Sequence, residues 1–185
     1  MNRAYFEDYC GHGRYEGHYL DLSRVEHCIE IVGRFGIQVN SVLVLGTATG
    51  QVLRHFEEAW GVRPYGCEIS RWAHTRITPR YRRHIRCADM RRYVPTLVRE
   101  GRVFDLIFSN ALVYLDREEI PLLLSLCSRV CCYFHFWSST NEDYEPGDTH
   151  RVTLAPKKWW GTAFRANGFS ATRSPYLWYS DINRH

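Results

Sequence analysis

The chain has 185 residues, of which 45% are hydrophobic, 24% charged and 15% aromatic. This length suits one well-buried domain, and the aromatic content excludes a disordered or low-complexity protein. The formal net charge is +4 at pH 7, and no apolar run reaches the ~18 residues of a membrane span. We therefore expect a single cytoplasmic domain over 1–185, monomeric or homodimeric, without a membrane partner. Because no C-x-x-C pair occurs among its seven cysteines, we also expect no metal site.

The N-terminal segment differs in character from the rest of the chain. Residues 1–22 contain five aromatic side chains and three glycines within YFEDYCGHGRYEGHYL, without apolar periodicity. This composition predicts a lid, with packing against a sheet edge as the alternative. Ser23 and Glu26 then form a capping box, and apolar residues recur at helical spacing as far as Phe35. A helix over 23–35 is predicted, at the start of a core over 23–180.

The segments that follow alternate between strand and helix patterns. The run SVLVLG predicts a doubly buried first strand at 41–46, and four further strand candidates are separated by helical stretches. This alternation predicts an α/β fold with a doubly wound, mostly parallel sheet and helices on both faces. Pro156 and Gly168 bound a last helix, and two short strands joined near Ser174 predict an antiparallel C-terminal hairpin. The sheet is therefore expected to have seven strands.

Three strand ends carry the residues expected to bind a ligand. The first strand is followed by GTATGQ, in which Gly46, Ala48 and Gly50 permit a tight turn and close ligand approach. Glu68 ends the second strand, where a carboxylate can accept both hydroxyl hydrogens of a ribose, and Asp89 ends the third. Together these residues favour an adenosine-containing ligand, although each acid could instead serve a helix N-terminus.

The same residues resemble the class I S-adenosylmethionine-dependent methyltransferases, of the small-molecule type. The resemblance is carried by VLVLGTATGQVLRHFEEAWGVRPYGCEISRWA, by FDLIFSNALVYL and by DTHRVTLAPKKWWGTAFRANGF, and it covers nearly the whole chain. It implies a seven-stranded sheet, S-adenosyl-L-methionine as cofactor and S-adenosyl-L-homocysteine as product. The expected cofactor-binding residues are Gly46, Thr47, Ala48, Gly50, Glu68, Ile69, Asp89, Met90, Asn110 and Arg24.

Two positions depart from that family's usual pattern. Val44 stands where members usually have an acid two residues before the first glycine, and Val113-Tyr114 stands where many have Glu-His. A dinucleotide-binding Rossmann enzyme is the nearest alternative. That class favours G-x-G-x-x-G, whereas Leu53 follows Gly50 at the third glycine position.

The methyl acceptor is expected at the ends of the fourth and fifth strands. His150 is the first candidate for a general base, since histidine is the side chain that most often serves in that role, and Tyr114 and His135 are the others. Tyr15, Tyr19 and Trp137 are predicted to wall the acceptor site. Such walls suit a small, partly apolar acceptor, such as a natural product, a sugar or an amine, methylated on oxygen or nitrogen.

Two other functions remain open at this stage. The stretch Arg71–Arg92 interleaves arginine with aromatic residues, a pattern that also suits tRNA or another nucleic acid as methylation substrate. The other alternative is an inactive cofactor-binding scaffold or partner subunit, which Val44 favours.

Overall fold

The computed structural model describes residues 22–137 and 150–182. The α-helices are α1 Ser23–Arg34, α2 Gln51–Trp60, α3 Arg71–Arg76, α4 Pro79–Arg82, α5 Met90–Arg99, α6 Glu119–Cys127 and α7 Lys157–Ala166. The strands are β1 Val42–Leu45, β2 Tyr65–Glu68, β3 Ile85–Cys87, β4 Phe104–Ser109, β5 Cys131–Phe136, β6 Phe169–Ala171 and β7 Leu177–Ser180. A short 3-10 helix, Leu112–Tyr114, follows β4 and was not predicted.

The strands form one seven-stranded sheet in the order β3-β2-β1-β4-β5-β7-β6. The pairs β1/β2, β2/β3 and β4/β5 are parallel, whereas β7 runs antiparallel to both β5 and β6. The predicted mostly parallel sheet with an antiparallel terminal hairpin is therefore confirmed. The chain divides into two compact units, Met1–Tyr93 and Val94–His185.

Burial of the first strand explains its unbroken apolar sequence. All four residues of β1 are fully buried, as a strand covered on both faces requires. In the second unit the core is aromatic: Phe134 and Phe169 contact Phe164 of α7 edge to face, and Trp178 stacks on Phe164 at 4.8 Å between ring centroids. Aromatic packing of this kind fixes α7 against the terminal hairpin.

The helix ends include two side-chain hydrogen bonds to backbone and correct one predicted cap. Ser70 caps α3, since its hydroxyl accepts the Ala73 N–H at 3.3 Å, and Glu119 accepts the Asp116 N–H at 3.2 Å. The capping role predicted for Ser23 is wrong, because α1 already begins at Ser23 and its N-cap is Leu22. Leu22 has no polar side chain to offer, and its carbonyl accepts the first backbone N–H groups.

The last helix has the predicted boundaries. Pro156 is the N-cap of α7, and Gly168 follows its end with a φ of 88°. A side chain at Gly168 would meet the Ser128 hydroxyl 2.8 Å away, so a glycine is required there on both counts. Of the helices in the described ranges, none combines the length and the apolar character that a bilayer crossing requires.

Candidate functional site

The turn after β1 is held by its own backbone against the end of β2. The N–H groups of Gly46 and Thr47 both donate to the Cys67 carbonyl, at 3.0 and 3.2 Å, and Gly50 N–H donates to Thr47 O at 2.9 Å. Gly46, Ala48 and Gly50 have φ values of 84°, 48° and 87°. This left-handed backbone explains why the loop consists of glycines and a small residue, as predicted.

Gly66 lets this loop lie directly on β2. A Cβ at Gly66 would be 2.3 Å from the Val44 carbonyl oxygen and 2.9 Å from Thr47 Cγ2. The methyl group of Thr47 therefore rests on the bare backbone of β2. Sequence reasoning missed Gly66, since a glycine inside a strand signals close backbone approach only in general terms.

Glu68 joins the loop to the next turn. Its Oε2 accepts the Ala48 N–H and its Oε1 accepts the Ser70 N–H, both at 2.8 Å. Burial raises the pKa of Glu68 above its ordinary value of 4.5, although the Ser70 and Ala48 N–H groups act to lower it. A carboxylate offers about four lone-pair sites. The Ser70 and Ala48 N–H groups use two of them and the Ile69 N–H also contributes, which leaves about one or two acceptor sites.

Asp89 lies at the start of α5 and is held by Arg91. Its Oδ1 accepts the Arg91 backbone N–H at 2.8 Å, and the Arg91 guanidinium binds both carboxylate oxygens. Partial burial acts to raise the pKa of Asp89, but the hydrogen bonds and charge of Arg91 outweigh it, and the pKa lies below the ordinary 3.8. Asp89 is thus an ionised helix cap, which is the alternative role considered from sequence.

The surroundings of these acids are partly apolar. Ile69 is 46% exposed although it directly follows a buried strand, and Met90 is half-buried. The Thr47 hydroxyl is buried, with the residue only 1% exposed, and it has no hydrogen-bond partner among the described residues. Exposed apolar surface thus follows the Glu68 carboxylate in the chain, and a polar group of the neighbouring loop is left unsatisfied within this part of the structure.

In the second unit, Asn110 connects the ends of β4 and β5. With its amide oriented to satisfy both partners, Nδ2 donates to the Trp137 carbonyl at 2.7 Å and to the Ser109 carbonyl at 3.2 Å. The indole of Trp137 packs against Tyr176, with ring centroids 5.1 Å apart, and both are half-buried. Tyr176 was not predicted, because its approach depends on the hairpin register, in which Phe136 N–H donates to Tyr176 O at 2.9 Å.

The segment that begins at His150 returns to the end of β4. The Val152 and Thr153 N–H groups both donate to Val113 O at 2.9 Å, and the Thr153 hydroxyl donates to Leu115 O at 2.7 Å. His150 is exposed two residues before this contact, and half-buried Tyr114 lies next to Val113. The structure thus brings the segment of His150 to that of Tyr114.

His135 lies elsewhere. It is fully buried within β5 and stacks on Phe108 of β4, with centroids 5.5 Å apart. A fully buried histidine packed between strands cannot meet an acceptor directly, so its role as a general base is disfavoured on geometric grounds.

Arg24 is half-buried in the first turn of α1. Tyr15 and Tyr19, with the rest of the predicted lid before Leu22, lie outside the described residues.

Comparison with solved structures identifies the fold. DesVI from Streptomyces venezuelae aligns with a TM-score of 0.67 and 17% identity, over 90% of this chain and 95% of its own. The sugar N-methyltransferase KedS8 from Streptoalloteichus gives 0.62 and 16%, over 85% of each chain. The magnesium protoporphyrin IX methyltransferase from Synechocystis, solved with S-adenosylhomocysteine, gives 0.61 and 15%, over 84% of this chain and 80% of its own.

The chain has the class I S-adenosylmethionine-dependent methyltransferase fold. Neither the family models nor the curated proteins include a match to the sequence. At these identities the resemblance concerns the arrangement of strands and helices, so the function has to be argued from the residues themselves.

The contact between the loop and β2 can be tested at Gly66. We expect Gly66→Ala to lower the free energy of unfolding by about 1–3 kcal/mol or more, because the added methyl group meets backbone that cannot move aside. Gly33→Ala is the matched control: nothing lies within 4 Å of its added methyl. Gly33 lies in the last turn of α1, so its replacement by Ala should leave stability unchanged or raise it by at most about 0.5–1 kcal/mol. Urea unfolding curves measure both, and a Gly66→Ala protein as stable as wild type would contradict the packing.

Proposed function

We propose that the chain binds S-adenosylmethionine and transfers its methyl group to a small-molecule acceptor. The observation that carries this proposal is the hydrogen bonding of the Glu68 carboxylate. This carboxylate holds the glycine loop through Ala48 and still has about one or two acceptor sites, which suit the hydroxyl groups of a ribose. The other cofactor residues are proposed because they lie in the loop after β1 or at the end of β3.

The loop backbone argues against a phosphate-containing cofactor. A pyrophosphate is held by backbone N–H groups that point at the ligand. Here the N–H groups of Gly46, Thr47, Ala48 and Gly50 are all donated to protein oxygens. This favours an adenosyl group without phosphate over a nicotinamide or flavin dinucleotide.

The residues present fit the adenosyl group. Ile69 offers an exposed apolar surface to the adenine ring, and the Asp89 carboxylate, which is bound by Arg91 in this structure, lies at the neighbouring strand end. When bound, S-adenosylmethionine supplies a methyl group activated on a sulfonium. The chain then has to orient an acceptor, exclude water and remove a proton where the nucleophile is a hydroxyl or an ammonium.

His150 is our candidate for that proton transfer. Its segment is tied to Val113 beside Tyr114, and its imidazole is exposed and able to receive a proton. Asn110 holds the end of β4 to the Trp137 carbonyl, which orients both strand ends. The Trp137 and Tyr176 rings offer an aromatic face that suits a sugar, a ring system or an amine.

A small acceptor is favoured over a nucleic acid by what the arginines contact. The Arg76 guanidinium lies 3.5 Å from the Trp72 ring centroid, Arg80 pairs with Glu57, and Arg82 donates to the carbonyls of Thr75 and Ile77. These contacts use part of each guanidinium's capacity to support the fold. KedS8 is named a sugar N-methyltransferase and the Synechocystis protein a porphyrin methyltransferase.

An inactive cofactor-binding protein is the second candidate. Val44, at the position of the family's usual acid, is fully buried as part of the β1 core. The loop is instead held by Glu68, so this substitution does not remove the cofactor site. Cofactor binding without methyl transfer to any acceptor would favour this second function.

Cofactor binding is expected to depend on Glu68 and on pH. Ribose hydroxyl groups donate to the ionised carboxylate, and the pKa of Glu68 is raised in the free protein. Affinity for S-adenosylhomocysteine should therefore be full above that pKa and fall as pH is lowered through it. Glu68→Gln should weaken binding about 10- to 100-fold near neutral pH, since a charged hydrogen-bond acceptor contributes ~1.5–3 kcal/mol. The variant should also lose this pH dependence.

Isothermal titration from pH 7.5 down to pH 5, with thermal melts of each variant, measures this effect. Glu58→Gln is the matched control, because Glu58 is an exposed carboxylate whose ion pair, within the described residues, is with Arg54 on the surface of α2. Its affinity should match that of wild type. Wild-type affinity in Glu68→Gln would refute the ribose assignment.

His150 is expected to matter for turnover only. Replacing His150 by Ala should lower methyl transfer by roughly 10²–10⁴-fold, the usual contribution of a general base, and leave cofactor affinity unchanged. Transfer of labelled methyl groups to a panel of amines, amino sugars and phenols measures the effect. Unchanged turnover in the variant would mean that positioning alone drives transfer.

A further inference from the structure

The two acids of the cofactor site differ in how many acceptor sites they have left. Glu68 uses one oxygen for Ala48 and the other for Ser70, whereas Asp89 receives four hydrogen bonds from Arg91 alone. One comes from the Arg91 backbone and caps α5. The other three come from two nitrogens of its guanidinium: Nε shares its one N–H between Oδ1 and Oδ2, and Nη2 donates to Oδ2.

These contacts engage both oxygens of the Asp89 carboxylate. With about four lone-pair sites and three N–H groups already bound, another donor has to compete with the guanidinium while it stays in place. An exocyclic amine of adenine is such a donor. It binds Asp89 without this competition if the Arg91 side chain moves away, and that side chain is 42% exposed to solvent. The backbone bond from Arg91 to Oδ1 is unaffected by this movement.

We propose that the Arg91 guanidinium competes with the adenine amine for Asp89 and thereby sets the affinity of the chain for its adenosyl cofactor. This inference rests on the proposed function, because it takes S-adenosylmethionine as the ligand. Arg91 is then a residue that acts on the cofactor through Asp89. The cofactor then binds more weakly, because part of its binding free energy is used to break the ion pair between Arg91 and Asp89.

The expected size and salt dependence follow from the exposure of this pair. Partly exposed ion pairs are weak, so removal of the guanidinium should tighten cofactor binding by about 2- to 5-fold. Salt screens such pairs, with a Debye length of about 10 Å at 0.1 M. The ratio of the wild-type dissociation constant to that of the variant should therefore shrink towards one as salt increases.

Isothermal titration of the full chain with S-adenosylhomocysteine at about 0.05 and about 0.5 M salt tests the proposal. Arg91→Ala keeps the backbone cap and removes the three guanidinium bonds. Arg92→Ala is the control, since Arg92 carries the same charge next to the site but makes none of these four contacts. Thermal melts verify that each variant is folded.

Tighter binding by Arg91→Ala at low salt, with a smaller gain at high salt and little change in Arg92→Ala, is the expected result. Equal or weaker binding by Arg91→Ala, with wild-type binding intact, would overturn this inference alone and indicate that the guanidinium instead supports the adenine ring. If no variant and no wild-type protein bound S-adenosylhomocysteine, the proposed function would fall and this inference with it.

Discussion

The carboxylate of Glu68 is the interaction on which the candidate site depends. It accepts one backbone N–H from the loop after β1 and one from the turn after β2, so a single side chain fixes both turns. The loop contains Ala48 in the left-handed region, which disfavours any residue with a side chain. The hydrogen bond from the Ala48 N–H stabilises that backbone, and burial of Glu68 makes the bond stronger than it would be in water.

The same bond explains how the site tolerates Val44. Where an acid at the Val44 position in β1 holds the loop by hydrogen bonds, replacing that acid would remove those bonds. Here the support comes from β2, and Val44 is free to pack in the core, where its carbonyl lies against Gly66. Gly66, Glu68 and the loop therefore form one structural unit. Its backbone donors are satisfied within the protein, while the Glu68 carboxylate retains some acceptor capacity.

Much of this arrangement could be predicted from the sequence, because strand periodicity and the spacing of turns are local properties. The buried run 41–46, the loop of Gly46 to Gly50 and the acids after the next two strands were all located from pattern alone. The side-chain contacts that these acids make cannot be predicted from periodicity or turn spacing. Whether Arg91 bends back onto Asp89 or extends into solvent depends on rotamers that leave no periodic signal. Tyr176 reaches Trp137 through the register of an antiparallel hairpin, which residue types specify only weakly.

The most direct test of this account is a crystal structure of the chain with S-adenosylhomocysteine. The account predicts a ribose hydroxyl oxygen within ~2.6–3.2 Å of the Glu68 carboxylate, with the Ala48 N–H bond to the same carboxylate retained. A complex in which the ribose lies away from Glu68, or in which Glu68 leaves the loop to bind the ligand, would contradict it.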